Sequence, residues 1–258
     1  MENDFSAVFD GNDLSTIPNF VLSRRYPNEL PTITLLAYDM ARQDGQAVTG
    51  KRFGAKGLIL EGYIVATDRA TYEITLDTLK TLTTAINASL VLAQSGQTRQ
   101  YICSLNNIVH SHIEAGKAAV SLVFTAGYPF GIETTQSNYS ETAVTTTGHI
   151  LATMFGGSAP SKPLIRITLN SFTGSGERTM TFFNSLNGQS LTITKTDWAP
   201  GDIVMLDCKR KIARVNDVAV DYNGVFPVFR PNVDSPAYSD SFTARNVDIN
   251  AQYYREFL

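Results

Sequence analysis

Cysteine and histidine are both scarce in this sequence of 258 residues. The two cysteines, Cys103 and Cys208, lie far apart along the chain. Two distant thiols cannot build a disulfide scaffold, and they supply no CxxC pair for a metal knuckle. We therefore expect two separate buried cysteines that pack as small hydrophobic side chains.

Long apolar runs and a surplus of charge of one sign are also missing. No run reaches the roughly 18 apolar residues of a membrane span, and residues 1–4 lack the basic-then-apolar order of a signal peptide. The 21 lysines and arginines face 24 acids, a net charge of −3, which excludes the dense positive field of a dedicated nucleic-acid binder. We expect a soluble, intracellular chain that binds no membrane.

Motifs that mark common enzyme classes are absent from the sequence. It contains no P-loop, GxGxxG or GxSxG pattern. Two pairs of acids, Asp202 with Asp207 and Glu133 with Glu141, have the residue types of a glycosidase, yet nothing beside them predicts a raised pKa. Solvated surface acids are the simpler interpretation. The sequence thus predicts a protein that is not an enzyme and that needs no cofactor and no metal.

One spacing calls for a metal-site hypothesis. His110, His112 and Glu114 alternate along an extended segment, so their side chains would project from one face of a strand. Two imidazoles and a carboxylate are ligand types for zinc or iron. Successive side chains on one face of a strand lie ~6.5–7 Å apart along a line, so a polar solvent-facing stripe is the preferred interpretation.

The sequence does contain many short β-like segments around one helical segment. In the first part of the chain, segments rich in β-branched and aromatic residues alternate with proline and glycine, which predicts a sheet or barrel. A change to apolar steps of three and four residues predicts a helix over about 70–93, with Asp68 or Thr71 as its N-cap. The predicted strands are 20–26, 32–38, 58–65, 98–105, 107–114 and 118–126.

A stretch rich in serine, threonine and glycine after residue 134 predicts a domain boundary, which divides the chain into 1–136 and 137–258. Turn residues between the later segments predict hairpins, and the close spacing is typical of a β-sandwich. The turns are Gly174-Ser175-Gly176, Asn187-Gly188, Pro200-Gly201-Asp202 and Asn216-Asp217. The predicted strands are 142–153, 164–169, 179–184, 190–193, 203–207, 212–215, 218–220 and 226–229.

Two further features of the second half have alternative interpretations. Trp198, the one tryptophan, lies at the end of a predicted strand, where it either caps the core or stacks on a sugar ring. Core packing is the preferred interpretation. The basic run Lys209-Arg210-Lys211 is interpreted as a solvated hairpin tip, with anion binding as the alternative.

Taken in order, these segments resemble the distal tail (Dit) proteins of long, flexible-tailed bacteriophages. The resemblance extends over most of the chain and depends on the order and spacing of the segments. In the first half they are Gly50-Lys51-Arg52-Phe53-Gly54, 59–65, Asp77–Leu82, Arg99-Gln100-Tyr101, 120–124 and Tyr128-Pro129-Phe130-Gly131. In the second half they are Leu191-Thr192-Ile193, 200–207, Arg214-Val215-Asn216, 222–227 and Arg230-Pro231-Asn232.

The resemblance implies a structural virion protein of mainly β fold. Its N-terminal β domain with a helix would form a six-membered ring at the end of the tail tube, and its C-terminal domain would be a galectin-like β-sandwich or jelly roll. The ring would join the tube to the tip or hub protein and anchor receptor-binding or side-fibre proteins. Such proteins assemble in the host cytoplasm and end up at the tail tip of the virion. A carbohydrate-binding host-adhesion module is the alternative.

The ring interpretation makes two predictions about surfaces. Lys51, Arg52 and Phe53, in a loop exposed by its flanking glycines, would contact a neighbouring subunit or the tube. DNA would pass through the ring without specific binding, so the wall of the passage should be neutral or acidic. Arg24, Arg25, Lys51 and Arg52 would then face neighbouring subunits, the tube or outer solvent.

Overall fold

The computed structural model describes residues 5–25, 30–39, 44, 46–114 and 117–258, without the side chains of residues 24, 25 and 112–114. This part of the chain is mainly β with one α-helix, which confirms the predicted fold class. The chain divides into two compact units, the first ending at Thr134 and the second running from Thr135 to Phe257. The assignment of independent domains 1–136 and 137–258 stays a prediction.

The first unit contains ten strands, the α-helix and two short 3₁₀ helices in its described residues. The strands are β1 (Phe5–Phe9), β2 (Asn12–Asp13), β3 (Phe20–Arg25), β4 (Ile33–Asp39), β5 (Gln46–Phe53), β6 (Lys56–Val65), β7 (Ala88–Gln94), β8 (Gln97–Glu114), β9 (Lys117–Ala126) and β10 (Gly131–Glu133). The helix α1 spans Arg69–Thr81, and the 3₁₀ helices span Leu14–Thr16 and Leu82–Thr84.

An antiparallel sheet in the order β2-β1-β7-β8-β9-β6-β3 forms most of the first unit. It curls into a half-barrel, and β10 pairs with β8 beside it. Alternate residues of each strand point into one core, as the two-residue period of a strand requires. That core is shared by the inner face of the sheet and by α1, which buries Tyr72, Leu76 and Leu79.

Helix α1 begins where the sequence predicts and ends twelve residues earlier. The Asp68 carboxylate accepts a hydrogen bond from the backbone N–H of Thr71 at 2.8 Å, which confirms Asp68 as the N-cap. The predicted end at residue 93 is wrong, because Ala88–Gln94 form strand β7 between β1 and β8. Leu90 fits both a helical and an alternating pattern, so only pairing with the two neighbouring strands decides its conformation.

The second unit contains twelve strands. They are β11 (Ser137–Val144), β12 (His149–Ile150), β13 (Leu164–Thr173), β14 (Arg178–Asn184), β15 (Ser190–Lys195), β16 (Ile203–Asp207), β17 (Ile212–Val215), β18 (Val218–Ala219), β19 (Asn223–Gly224), β20 (Pro236–Asp240), β21 (Thr243–Tyr253) and β22 (Glu256–Phe257).

Two antiparallel sheets enclose the core of the second unit. One has the order β11-β21-β13-β16-β17-β18 and the other β12-β20-β14-β15-β19. Side chains from both sheets form one buried cluster, including Ile167, Phe182, Leu206 and Ile249, which is the layered arrangement of a β-sandwich. The sequence analysis missed β20 and β21, although β21 lies between β11 and β13 in the larger sheet.

Two of the four predicted hairpins and two of the predicted strands are wrong. Residues 142–153 do not form one strand, because β11 ends at Val144 and β12 spans only His149–Ile150 in the other sheet. Asn187-Gly188 and Asn216-Asp217 do join paired strands, β14 to β15 and β17 to β18. The turns at 174–176 and 200–202 instead lead from one sheet to the other, because β13 and β16 belong to the larger sheet and β14 and β15 to the smaller one. Residues 226–229 form a single bridge, from Phe229 to Ser161, and no strand.

In the described ranges, no helix combines the length and the apolar character that a membrane span requires. Both cysteines are free and buried. Cys103 belongs to the core of the first unit and Cys208 to the core of the second. This confirms the expectation of two separate thiols.

Candidate assembly surfaces

Strands β4 and β5 form a two-stranded ribbon that pairs with no other described strand. Both strands are exposed along most of their length. The ribbon carries five large apolar side chains with exposed fractions between 42% and 60%: Ile33, Leu35, Leu36, Tyr38 and Val48. Exposed apolar side chains grouped in this way mark interaction sites, and the free edges of the ribbon offer backbone groups for pairing.

The three predicted contact residues lie in this ribbon. Lys51, Arg52 and Phe53 end strand β5, so the prediction that they form a loop is wrong. Residue 54 does not interrupt the pairing, because its backbone N–H donates to the Thr32 carbonyl at 2.7 Å. Because β4 lies opposite β5, the two flanking glycines stay extended and no loop forms between them.

The side chains of these residues differ in their surroundings. Phe53 packs edge-on against Phe130, with ring centroids 5.3 Å apart, and so attaches the base of the ribbon to the rest of the first unit. Lys51 and Arg52 are exposed, and the Lys51 Nζ atom lies 5.2 Å from the centroid of the Phe53 ring. The two cations are therefore accessible to another molecule. Whether they contact a subunit or the tube stays a prediction.

The face of the curled sheet that points away from α1 is called here the uncovered face. Along two neighbouring strands of the sheet, β6 and β9, side chains of this face alternate with the buried ones. Glu61 and Lys117 are its charged residues on these two strands. The other positions are neutral: Gly57, Ile59, Tyr63, Val65, Ala119, Ser121, Val123 and Thr125. This part of the sheet presents a nearly neutral surface.

Of the three candidate metal ligands, only His110 has a side chain that the structure describes. The His110 Nδ1 atom lies 3.0 Å from the Tyr72 hydroxyl of α1, so this imidazole has a partner within the first unit. The side chains of His112 and Glu114 lie outside the described residues. The pairing of β8 with β9 shifts register between these two residues, which interrupts the regular alternation that the hypothesis assumed. Among the described residues, no group of three or more potential ligands could hold a metal ion.

Trp198 belongs to the core cluster of the second unit. Only 8% of the residue is exposed, its indole N–H donates to the Arg178 carbonyl at 3.0 Å, and its ring packs edge-on against Phe242. The Lys195 Nζ atom lies 5.4 Å from the ring centroid. A sugar needs an open aromatic face, so this geometry supports core packing. Sugar stacking by Trp198 stays a prediction for a binding measurement.

Asp202, one of the acids considered for catalysis, is held by structural hydrogen bonds. Asp202 accepts from the backbone N–H of Ala199 at 3.0 Å, from Asn216 Nδ2 at 2.8 Å and from Lys195 Nζ at 3.2 Å. Burial acts to raise the pKa of Asp202, but these hydrogen bonds to the carboxylate outweigh it and leave the pKa lowered. A carboxylate that stays charged in this way is suited to structure rather than to proton donation.

Glu141 is held in a similar way at one edge of the sandwich. Its carboxylate accepts from the Tyr139 hydroxyl, pairs with the His149 imidazole and accepts from the backbone N–H of Ala152 at 2.8 Å. Burial acts against the charged form, yet the hydrogen bonds keep the pKa of Glu141 below its ordinary value. The sequence analysis missed this cluster, because β11 and β12 belong to different sheets.

The basic run 209–211 forms the tip between β16 and β17, as predicted. Lys209 Nζ lies 3.0 Å from the Glu256 carboxylate. Arg210 Nε lies 3.9 Å from Asp207. The tip is thus partly neutralised by its own neighbours.

Comparison with solved structures assigns the fold. The crystal structure of the Dit protein of phage SPP1 superposes with a TM-score of 0.70 at 15% sequence identity, over 98% of this chain and 99% of that chain. This chain has the fold of a phage distal tail protein. The resemblance predicted from the sequence is therefore confirmed at the level of the fold. The SPP1 Dit protein is described as a paradigm of the hub adsorption apparatus in phages that infect Gram-positive bacteria.

Two other solved structures superpose less well on this chain. Two structures of the phage p2 baseplate in its activated conformation, with strontium and with calcium, each give a TM-score of 0.41. Their chains are 9% and 10% identical to this one, over 96% and 97% of this chain and 97% of each of theirs. No protein-family model and no curated protein sequence matches the chain.

Proposed function

We propose that this chain is a structural component of a phage tail. Six copies form a ring that joins the tail tube to the tip or hub protein and anchors receptor-binding or side-fibre proteins. The observation that carries the proposal is the likeness in fold to the SPP1 Dit protein, because it extends over 98% of this chain and so includes both units. The protein acts at the tail tip of the virion after assembly in the host cytoplasm.

The β4–β5 ribbon is the proposed contact between copies. A closed ring needs a head-to-tail contact that repeats after a fixed rotation. The ribbon supports this role, because its apolar side chains are exposed in the single chain and its edges are unpaired by described strands. Fully burying one exposed large apolar side chain contributes about 1.5–3 kcal/mol, so each of these half-exposed side chains would contribute roughly half of that to a contact. Lys51 and Arg52 lie beside them and would add ion pairs with the neighbour or the tube.

The uncovered face of the first unit is the proposed wall of the DNA passage. DNA carries one negative charge per ~1.7 Å of helix axis, so a positive wall would hold the phosphates and stop the DNA from sliding. One acid and one base along β6 and β9 leave this part of the face without net charge. Such a wall would let DNA pass without specific binding.

No enzymatic role is part of the proposal. Asp202, Asp207 and Glu141 have structural partners. Burial raises the pKa of both thiols to about 12, which keeps them unreactive at neutral pH. The alternative role as a carbohydrate-binding adhesion module depended on Trp198. The burial of its ring gives that alternative no support.

Imaging and light scattering of the full chain test the proposal. We expect six-fold rings in negative stain, either at high protein concentration or when the tail tube protein is added. A double variant, Leu35→Ser with Val48→Ser, should leave a folded monomer, because both side chains are more than half exposed in the single chain. Ile150→Ser, a similarly exposed change in the second unit, is the matched control and should still form rings.

Two outcomes would contradict different parts of this proposal. A wild-type chain that stays monomeric even with the tube protein present would exclude the ring. Rings that form equally well from the double variant would exclude the ribbon as the contact and leave the ring itself in place.

A further inference from the structure

The outer face of the larger sandwich sheet carries a row of side chains that we call the arginine row. It consists of Ser140, Asn250, Arg166, Met205 and Arg214, which face one another across five neighbouring strands: β11, β21, β13, β16 and β17. The residues before and after Arg166, Ile165 and Ile167, are fully buried. The arginine row therefore points away from the core.

The two arginines of this row have no charged partner in the part of the chain that the structure describes. Neither Arg166 nor Arg214 forms an ion pair or a hydrogen bond through its side chain with any described residue, and Arg166 is exposed. Two aspartates lie on the same face, one on each side of the row, because Asp207 pairs with Leu164 and Asp248 pairs with Thr168. Asp207 accepts from the N–H groups of Lys209 at 3.0 Å and Arg210 at 2.8 Å, and Asp248 accepts from the N–H of Ala143 at 2.8 Å. Each carboxylate thus has its own partners, and the row offers two guanidinium groups whose donors no described residue uses.

A shallow depression of about 140 Å³ lies beside the arginine row. Arg166, Met205 and Ile203 line it from the sheet, and Asn216 and Asp217 line it from the turn between β17 and β18. The Asp217 carboxylate forms no ion pair with any described arginine. The depression thus combines the Arg166 guanidinium and two apolar side chains with one amide and one acid.

We infer that the arginine row binds an acidic segment of a partner protein, with Arg166 and Arg214 each holding a carboxylate and Met205 packing on an apolar side chain between them. Two strand spacings of ~4.8 Å place the two arginine backbones roughly 10 Å apart, and two flexible side chains can span acids at that separation. A guanidinium binds a carboxylate through two parallel hydrogen bonds. Arginine and methionine are also enriched in protein interfaces.

A protein partner fits this surface better than a sugar or a polyphosphate does. No residue of the arginine row or of the depression is aromatic, so the stacking platform of a sugar site is missing there. Met205 and Ile203 would have nothing apolar to contact in a phosphate polymer. This inference goes beyond the proposed ring and does not depend on it, because it concerns the second unit alone.

Fluorescence anisotropy with the full chain and a defined probe tests the inference. The probe is a labelled peptide in which glutamates flank leucines, and its matched control has glutamine in place of each glutamate. Arg166→Ala and Arg214→Ala should each weaken binding of the glutamate peptide about five-fold, the effect of losing one partly exposed ion pair. Arg210→Ala removes the same charge from the exposed hairpin tip and should change binding less than two-fold. Thermal unfolding of each variant checks that it is folded.

Each result either supports or overturns the inference. Weaker binding in the two row variants, with the Arg210 variant unchanged and the glutamine peptide unbound, supports it. No binding of the glutamate peptide at low salt, or equal losses in all three variants, overturns it. Inorganic polyphosphate that binds more tightly than the glutamate peptide and depends on the same two arginines would assign the row to a phosphate polymer instead.

Discussion

The Asp234 carboxylate provides a direct test of how the second unit is held together. It is fully buried and accepts hydrogen bonds from the Arg230 backbone N–H at 2.8 Å, from Arg230 Nη2 at 2.7 Å and from Asn184 Nδ2 at 2.8 Å. The Arg230 guanidinium is the main cause that lowers the pKa of Asp234 from 3.8 to about 2, and burial opposes it. These bonds fix the irregular segment 225–235 against β14.

The pKa of Asp234 sets the size of the expected effect. A fall from 3.8 to about 2 corresponds to about 2.4 kcal/mol. Because the guanidinium is 60% exposed, solvent screening reduces this to about 2 kcal/mol. A lowered pKa in the folded state stabilises the fold above the unfolded pKa, and this stabilisation disappears as the pH falls through the folded pKa. Roughly half of it should be lost by pH 3.

We expect Asp234→Asn to lower the free energy of unfolding at pH 7 by about 2 kcal/mol, because an amide cannot satisfy the surrounding donors. Urea titration followed by tryptophan fluorescence measures this, since Trp198 lies in the same core. The difference between wild type and variant should shrink by about half at pH 3. Asp221→Asn, at an exposed position in the same unit, is the control. A variant as stable as the wild type at pH 7, or a difference unaffected by pH, would refute the reasoning.

Two further predictions concern the cores. Gly131→Ala should destabilise the first unit by about 1–3 kcal/mol, because its Cβ would stand 2.6 Å from the buried Tyr101 ring. Gly127→Ala, whose Cβ would meet nothing within 4 Å, should be tolerated, and equal thermal unfolding of the two variants would contradict this contact. Burial raises the pKa of Cys103 and Cys208 to about 12, so native protein should react with a thiol reagent at neutral pH far more slowly than urea-unfolded protein. Rapid labelling of either native thiol would show that its core opens.

Local patterns in the sequence determine much of the β architecture. Val120, Leu122 and Phe124 alternate with neutral residues, so strand β9 could be predicted from its own residues. Asp68 marks the start of α1, because its side chain can cap the helix without help from distant residues. The order of the predicted segments was also enough to indicate the Dit fold.

Contacts between residues far apart in the sequence determine the rest of the fold. The helix does not continue to residue 93 because Ala88–Gln94 pair with β1 and β8, and no local pattern distinguishes that strand from a longer helix. Lys51, Arg52 and Phe53 are extended because β4 lies opposite them. Met205 lies between Arg166 and Arg214 only when β13, β16 and β17 are in register. Residues on different strands share a face only when those strands pair. Local sequence patterns do not specify this pairing, so the tertiary structure alone brings these three side chains together.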